Sequence, residues 1–207
     1  MAFASQSFVF LGPPASGKGT QGRRLSDEKG WAYLSTGALL RRALRDETEL
    51  GRAAKPYLDR AEFVPDEIML PGVLEWVTAQ KGGWVLDGFP RTVPQAQALD
   101  AALKDLGLPL PKAMILHVPD EELRRRVACR LECESCHRVA REGEGEKCPK
   151  CGGVLAARAD DASGAFESRL VEYHRLVVPT IQYYVDRERG RIINGTGSPD
   201  EVWVRIS

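Results

Sequence analysis

Short apolar runs alternate along the chain with longer segments that mix apolar and polar residues. The runs are bounded by glycine, proline or polar residues, as is typical of buried strands in a parallel sheet. We predict strands at 7–11, 31–34, 84–86, 113–117 and 192–193. Because a segment of helical length follows each run, the expected fold class is α/β, with a mainly parallel sheet flanked by helices on both faces.

The segments between the runs carry signals for the start of helices. Ser35 or Thr36 is a suitable N-cap for one helix, and Ser198, followed by proline and aspartate, marks the start of the last one. Further helices are predicted from about 17, over 49–62 with a disturbance at Pro56, from 65 to about 80, over 93–106, over 120–130 and over 166–189.

A glycine-rich stretch, GPPASGKGT at 12–20, lies between the first predicted strand and the first predicted helix. Its glycines leave backbone N–H groups accessible, and the helix N-terminus adds the positive end of its dipole, so the arrangement favours phosphate binding. Lys18 adds a full charge, and Thr20 offers a hydroxyl to a metal ion. The general P-loop pattern has Ser or Thr directly after the lysine, whereas Gly19 intervenes here. A plain glycine-rich turn is the alternative.

An acidic residue ends the predicted strand at 84–86. Asp87 follows this strand, and the next turn carries Arg91. Ligands of open parallel sheets bind at the carboxyl ends of the strands, so Asp87 is placed beside the glycine-rich stretch to hold the water shell of Mg²⁺. The alternative is that Asp87 caps a turn or helix.

Four of the five cysteines have the spacing of a metal site. They form the pairs Cys133 with Cys136 and Cys148 with Cys151. Each C-x₂-C pair turns both sulfurs toward one ion, and four thiolates favour zinc. The segment 131–161 has few large aliphatic side chains, so the metal would replace a hydrophobic core and leave a stiff flap suited to a lid. Disulfides are the alternative, and Cys129 is expected to be a packed apolar side chain rather than a ligand.

Composition limits the classes of function. The 207 residues, of which 43% are hydrophobic, suffice for one main domain with a small appendage. The formal net charge is zero, which argues against a general polyanion binder and favours a small partner. Residues 1–10 lack a basic start, and no stretch approaches the roughly 18 apolar residues of a membrane span. We therefore expect a cytoplasmic monomer without nucleic-acid or membrane partners.

In chain order, these motifs resemble those of the adenylate kinases, of the long type with a zinc-binding lid. The matching segments are 12–20, 35–37, 64–67, 87–92, 94–96, the four cysteines, 158–161 and 169–173. The resemblance implies a P-loop fold and reversible transfer of the terminal phosphoryl group of Mg·ATP to AMP, giving two ADP. It also implies a core of 1–130 and 162–207 that includes a nucleoside-monophosphate-binding region at 35–64, and a lid at 131–161.

The resemblance assigns roles to individual residues. Catalytic roles are implied for Lys18, Asp87, Arg91, Arg130, Arg158 and Arg169. ATP contacts are implied for Gly12, Gly17, Lys18, Gly19, Thr20, Arg126, Arg130 and Ser198. AMP contacts are implied for Thr36, Arg41, Val64, Gly88, Arg91, Gln95, Arg158 and Arg169. The implied cofactors are Mg²⁺ with ATP and structural Zn²⁺ on the four cysteines. Several arginines without a general base suit phosphoryl transfer, which depends on charge neutralisation, positioning and exclusion of water.

Several features depart from the family pattern. Ala15 stands where glycine is usual, and Ala38 stands where aspartate is usual. The lid between Cys136 and Cys148 is short, and ASGA at 162–165 replaces a more acidic segment. We expect an active enzyme in which each departure can slow turnover or lid closure.

Three alternatives to this function remain open. Ala15 and Ala38 favour a nucleotide sensor with weak catalysis. A kinase for another nucleoside monophosphate is disfavoured, because Thr36 and Gln95 match positions at which adenylate kinases recognise adenine. A zinc-ribbon nucleic-acid module is disfavoured by the absence of aromatic stacking residues between the cysteines.

Overall fold

The computed structural model describes residues 7–60, 62–140, 144–158, 161 and 164–207. The motif residues Ala159 and Asp160, and the departures at Ala162 and Ser163, lie outside the described residues. Within the described part of the chain, no helix has both the length and the apolar character needed to cross a membrane.

A five-stranded parallel sheet forms the centre of the fold. The strands of the described residues are β1 (Phe8–Leu11), β2 (Ala32–Ser35), β3 (Trp84–Asp87), β4 (Lys112–His117), β5 (Glu132–Cys133), β6 (Leu155–Ala156) and β7 (Gly190–Asn194). The central sheet has the order β2-β3-β1-β4-β7, and each neighbouring pair is parallel. The chain leaves β1 toward β2 and β3 on one side and later adds β4 on the other. The carboxyl end of β1 therefore lies at the position where ligands bind in sheets of this class.

Helices cover both faces of the sheet, as the alternating pattern predicted. They are α1 (Lys18–Lys29), α2 (Thr36–Arg45), α3 (Glu49–Leu58), α4 (Asp66–Thr78), α5 (Val93–Asp105), α6 (Asp120–Ala128), α7 (Ala165–Glu172), α8 (Val178–Val185) and α9 (Pro199–Ile206). The side chain of Ser35 caps α2 by accepting from the amide of Ala38. Ser198 and Glu201 form a capping box at the start of α9, so both predicted helix starts are confirmed.

The two faces of β1 contribute to two separate cores. Val9 and Leu11 belong to a core with residues of α2 to α5 and α8, whereas Phe8 and Phe10 belong to a core with residues of α1 and α9. All four side chains are buried, because successive strand residues point to opposite faces and both faces are covered. The sheet is thereby fixed between two helical layers.

Several predicted helix limits were wrong. The helix predicted over 49–62 ends at Leu58, although Pro56 is accommodated in its last turn. The helix predicted over 166–189 starts one residue earlier, ends at Val185 and contains the π-helical segment Tyr173–Val177. In this segment the backbone hydrogen bonds span five residues instead of the four of an α-helix. Tyr173 and Val177, at its two ends, are buried.

The segment predicted as a lid forms a small unit of its own. Strands β5 and β6 pair in antiparallel register, and two isolated bridges, Glu132 to Val139 and Lys147 to Val154, extend the pairing. Its core consists of Cys133, Cys148 and Leu155. So few apolar groups confirm the expectation that this segment has almost no hydrophobic core.

Candidate functional site

A cavity of about 550 Å³ opens at the carboxyl ends of the central strands. The predicted site residues that line it are Gly17, Lys18, Gly19, Thr20, Arg41, Asp87, Gly88, Arg91, Arg126, Arg130, Arg158 and Arg169. They come from the loop after β1 and the start of α1, from α2, from the end of β3 and the turn after it, from α6 and α7, and from the two ends of the 131–161 segment. Residues predicted for one reaction are thus brought to one cavity, although they are spread over 150 positions of the chain.

The glycine-rich loop after β1 has a backbone that most residues cannot adopt. Gly12 has a φ of 146°, and a Cβ there would lie 2.6 Å from the carbonyl oxygen of Leu116. Gly17 caps α1 with a φ of 92°. Ala15 has a φ of 62°, in the left-handed region, so the strain expected from the replacement of glycine at this position is present. The loop also buries the hydroxyl oxygen of Ser16, which has no hydrogen-bond partner among the described residues.

Lys18 lies at the centre of this charged cavity. Its ammonium group donates a hydrogen bond of 2.7 Å to the carbonyl oxygen of Pro13. Burial, together with Arg91, Arg169 and Arg130, lowers the pKa of Lys18 to about 7, against the opposing effect of Asp87. A bound polyphosphate would reverse this effect, because negative charge favours the protonated lysine.

Asp87 is held in place by a tyrosine that the sequence analysis did not identify. The phenol of Tyr33 donates a hydrogen bond of 3.0 Å to Oδ2 of Asp87. A Cβ on Gly19 would lie 3.1 Å from the same carboxylate oxygen, so glycine permits the loop to approach it. Burial and the adjacent Asp87 raise the pKa of Tyr33 well above its ordinary value, so the phenol stays a donor. The carboxylate of Asp87 and the hydroxyl of Thr20 line the same cavity, and this oxygen donor set fits Mg²⁺ and its water shell.

Two buried carboxylates pair with four of the arginines in the cavity. Asp161 accepts a bidentate pair of hydrogen bonds from Arg130 and lies 3.7 Å from a guanidinium nitrogen of Arg169. Glu132 pairs with Arg158 and, at 3.3 Å, with Arg41. The acids hold these guanidinium groups at the cavity wall, where they can bind phosphate oxygens.

The residues predicted to recognise adenine lie beside the cavity rather than in its wall. Thr36 is buried, and its hydroxyl donates to the carbonyl oxygen of Gly88 at 2.9 Å. The side chain of Gln95 accepts from the amide of Arg91 at 2.7 Å and donates to the carboxylate of Asp66. Val64 is buried in the core. Thr36 and Gln95 thus help to fix the turn that carries Arg91, whose guanidinium lies 4.5 Å from the ring centre of Phe63.

Arg126 connects the glycine-rich loop to the segment before α9. Its guanidinium donates to the carbonyl oxygens of Gly195 at 2.8 Å and Ser16 at 3.4 Å, and to Glu122 at 2.8 Å. Hydrogen bonds from Arg125 and Arg126 lower the pKa of Glu122 to about 2. Ser198 is not in the cavity wall, although its neighbours at 197 and 199 are.

The sulfur atoms of the four paired cysteines all lie within 4.8 Å of one another. None of the four is in a disulfide, so the alternative of disulfide bonds is wrong. Cys129 and His137 do not belong to this group of possible ligands. Four thiolates in one cluster fit a tetrahedral zinc site.

The backbone around the cysteine cluster also suits a metal site. The amide of Cys136 donates toward Sγ of Cys133 at 3.5 Å, and this bond is the main cause that lowers the pKa of Cys133 to about 6. Gly152 has a φ of 75°, and a Cβ on Gly153 would lie 2.9 Å from Sγ of Cys133. A left-handed turn therefore follows the second pair. His137 takes the same conformation after the first pair, with a φ of 57°.

One expectation about the cysteines was wrong. Cys129 is exposed and lines the cavity, with its thiol 3.5 Å from the carbonyl oxygen of Arg125. The helix α6 ends at Ala128, directly before it, and Cys129 belongs to none of the hydrophobic clusters of the described residues. Tyr33 and Glu132 were not predicted as site residues, because neither occurs in a recognisable motif and each acts on a residue that is distant along the chain.

Comparison with known proteins places this geometry in a family. The family model described as adenylate kinase matches residues 10–189. Adenylate kinase from Thermodesulfovibrio yellowstonii is 43% identical over 206 residues, covering 96% of this chain and 95% of the relative. The adenylate kinases of Archaeoglobus fulgidus and Methanosarcina barkeri are 40% and 39% identical, with 97% of this chain covered in each case and 95% and 96% of the relatives.

Proposed function

Because this chain belongs to the adenylate kinase family, we propose that it transfers the terminal phosphoryl group of Mg·ATP reversibly to AMP, giving two ADP. The function is that of a nucleoside monophosphate kinase, and the family binds ATP, AMP and ADP. The observation that carries the proposal is the single cavity in which Lys18 faces arginines from the sheet and from the lid segment. We further propose that the protein acts as a cytoplasmic monomer without nucleic-acid or membrane partners.

In the proposed reaction, an oxygen of the AMP phosphate attacks the γ-phosphorus of ATP. The bond from this phosphorus to the oxygen that bridges it to the β-phosphate breaks, and the bonding electrons leave with ADP. No proton has to be removed from an attacking phosphate dianion, which agrees with a cavity rich in arginine and without a histidine in its wall. Rate enhancement then comes from charge neutralisation and alignment of the two nucleotides.

The positive groups divide into three proposed sets. Lys18 and Arg130 bind the ATP phosphates, with the exposed N–H groups of the loop 12–20. Arg41 and Arg91 bind the AMP phosphate, and Arg158 and Arg169 stand between the two nucleotides. All six line the cavity, and Arg130, Arg158 and Arg169 have mostly buried side chains.

The proposed cofactors are Mg²⁺ with ATP and Zn²⁺ in the lid. Asp87 and Thr20 would hold the water shell of Mg²⁺, which neutralises phosphate charge during transfer. The four cysteines would hold Zn²⁺, which has a structural role because all four ligands come from the protein.

Arg126 is proposed to lie against the adenine of ATP, at the edge of the cavity near Gly195 and Gly197. Thr36, Val64 and Gln95 are proposed to select adenine in the second nucleotide. They lie next to Gly88 and Arg91 but turn their polar groups toward protein atoms. To be recognised here, AMP must therefore either replace some of these hydrogen bonds or form hydrogen bonds with the neighbouring backbone.

A coupled assay of ADP formation with AMP, CMP, UMP and GMP as acceptors tests this proposal. We expect ADP to form from ATP and AMP at a ratio of two ADP for each ATP consumed, with the other acceptors much slower. Lys18→Gln should lower the rate by at least about 100-fold, because it removes the positive charge that is proposed to stabilise the transferred phosphoryl group. Hydrolysis of ATP without an acceptor requirement would contradict the proposal.

A further inference from the structure

Glu132 is a buried acid outside the family motifs. It starts β5, directly before Cys133, and its side chain is only 6% exposed. An ionised carboxylate at this depth requires charged or hydrogen-bonding partners, because its burial is otherwise strongly unfavourable. The partners of Glu132 therefore indicate what it does.

The partners of Glu132 include cations from both sides of the cavity. Oε1 accepts a hydrogen bond of 3.3 Å from Nη2 of Arg41, which lies on α2. Oε2 accepts a short hydrogen bond from Nη2 of Arg158, which follows β6. Nδ1 of His137 lies 3.1 Å from Oε1. One carboxylate thus joins the nucleoside-monophosphate-binding region to the lid.

Arg41 is proposed above to bind the AMP phosphate, and Arg158 to stand between the two nucleotides. Both arginines line the cavity. A phosphate dianion placed between them would bring its charge close to that of Glu132. Like charges in a poorly hydrated site repel each other strongly, and carboxylate and phosphate compete for the same guanidinium N–H groups.

We propose that Glu132 is a counter-anion of the AMP-phosphate site. Its carboxylate holds Arg41 and Arg158 in the empty protein, and it lowers the affinity for nucleotide so that product is released. This inference rests on the proposed function, because it takes these arginines as phosphate ligands. Asp161 holds Arg130 and Arg169 in a similar way. Asp161, however, occurs in the family motif at 158–161, whereas Glu132 is a feature of this chain's lid strand.

The experiment compares Glu132→Gln with Glu134→Gln. Glutamine keeps an oxygen that can accept from Arg158 but removes the charge. We expect Glu132→Gln to bind AMP about tenfold more tightly by isothermal titration calorimetry at fixed salt. The kcat should fall at least about twofold, since release of product limits many lidded kinases. Glu134 is exposed and two residues away, so Glu134→Gln makes the same change in net charge and should stay within about twofold of the unmodified protein.

A second variant separates charge from shape. Glu132→Asp keeps the negative charge, and we expect its Kd for AMP to remain within about threefold of that of the unmodified protein. Weaker AMP binding in Glu132→Gln, or equal binding in Glu132→Gln and Glu134→Gln, overturns the proposed role of Glu132 as a counter-anion. Tighter binding in Glu132→Asp of the same size as in Glu132→Gln overturns it too. If the unmodified protein itself fails to bind AMP, the proposed function fails instead.

Discussion

At the scale of single residues, Ala15 and Asp87 differ in how well their conformation and contacts suit the site. Ala15 turns the phosphate-binding loop with a positive φ that glycine would adopt without strain. Asp87 is buried at a strand end and accepts a hydrogen bond from the phenol of Tyr33. The site therefore contains one strained residue, and a tyrosine orients its strand-end carboxylate.

We predict that Ala15→Gly raises the free energy of unfolding by about 1 kcal/mol. The left-handed conformation costs alanine roughly 1–2 kcal/mol, part of which glycine loses through its greater freedom in the unfolded chain. Urea unfolding measures the effect. An unchanged or lower stability would contradict the strain at Ala15.

Removal of the Tyr33 hydroxyl should lower the apparent affinity for Mg²⁺ in ATP binding. We expect Tyr33→Phe to raise the Mg²⁺ concentration that gives half-maximal ATP binding about tenfold, because Asp87 loses the donor that orients it. Tyr183→Phe is the matched control, since Tyr183 donates to Asp100 at 2.7 Å and both residues lie outside the cavity wall. The control should lower stability but leave the Mg²⁺ dependence unchanged. Equal Mg²⁺ dependence in both variants would contradict the role of Tyr33.

Lys18 should take up a proton when nucleotide binds above neutral pH. Its pKa of about 7 in the empty protein leaves it mostly neutral at pH 8.5. Bound phosphate raises this pKa, so we expect uptake of up to about one proton per nucleotide and weaker binding as the pH rises from 7 to 9. Calorimetry in two buffers with different ionisation enthalpies measures the uptake. It should disappear in Lys18→Gln, and its persistence there would assign the proton to another group.

At the scale of elements, the lid segment differs from the rest of the molecule in what stabilises it. The central sheet lies between two apolar layers, whereas β5 and β6 enclose only Cys133, Cys148 and Leu155 as a buried core. Ion pairs such as Arg138 with Glu144 add little to this, because a pair exposed in part to water contributes only weakly. We therefore expect the proposed metal ion and its four thiolates to supply most of the stability of this segment.

Removal of the metal ion should unfold the lid but not the central sheet. Structural zinc contributes on the order of 10 kcal/mol in small sites, far more than the apolar contacts of β5 and β6 can replace. We expect Cys148→Ser, confirmed as metal-free by metal analysis, to lose amide-exchange protection at 132–139 and 147–156 while β1 and β4 remain protected. Full protection of the lid in the metal-free protein would contradict this.

The sequence allowed the elements to be predicted better than the contacts between them. The strands β1, β3 and β4 could be predicted because a short apolar run between turn residues is typical of a buried strand and too short for a helix. The π-helical segment at 173–177 was missed, since it arises from packing rather than from local composition. The pairs Tyr33 with Asp87 and Glu132 with Arg41 were also missed, because each joins segments more than 50 residues apart.

At the scale of the whole molecule, a formal net charge of zero conceals a strongly basic cavity. Lys18 and the arginines converge from the sheet and the lid, and Glu132 and Asp161 balance four of them. The order of the parallel strands places the phosphate loop, Asp87 and Arg126 around one opening. The fold thus brings groups from distant segments to one cavity, in which we propose that the phosphates of two nucleotides bind.

A crystal structure with a dinucleotide that joins two adenosines through five phosphates tests this account most directly. We predict that its phosphate chain lies in the cavity, with Lys18 and Arg130 at one part and Arg41 and Arg91 at the other. Arg158 and Arg169 should contact the phosphates between them. A phosphate chain bound outside this cavity, or guanidinium groups that turn away from it, would contradict the account.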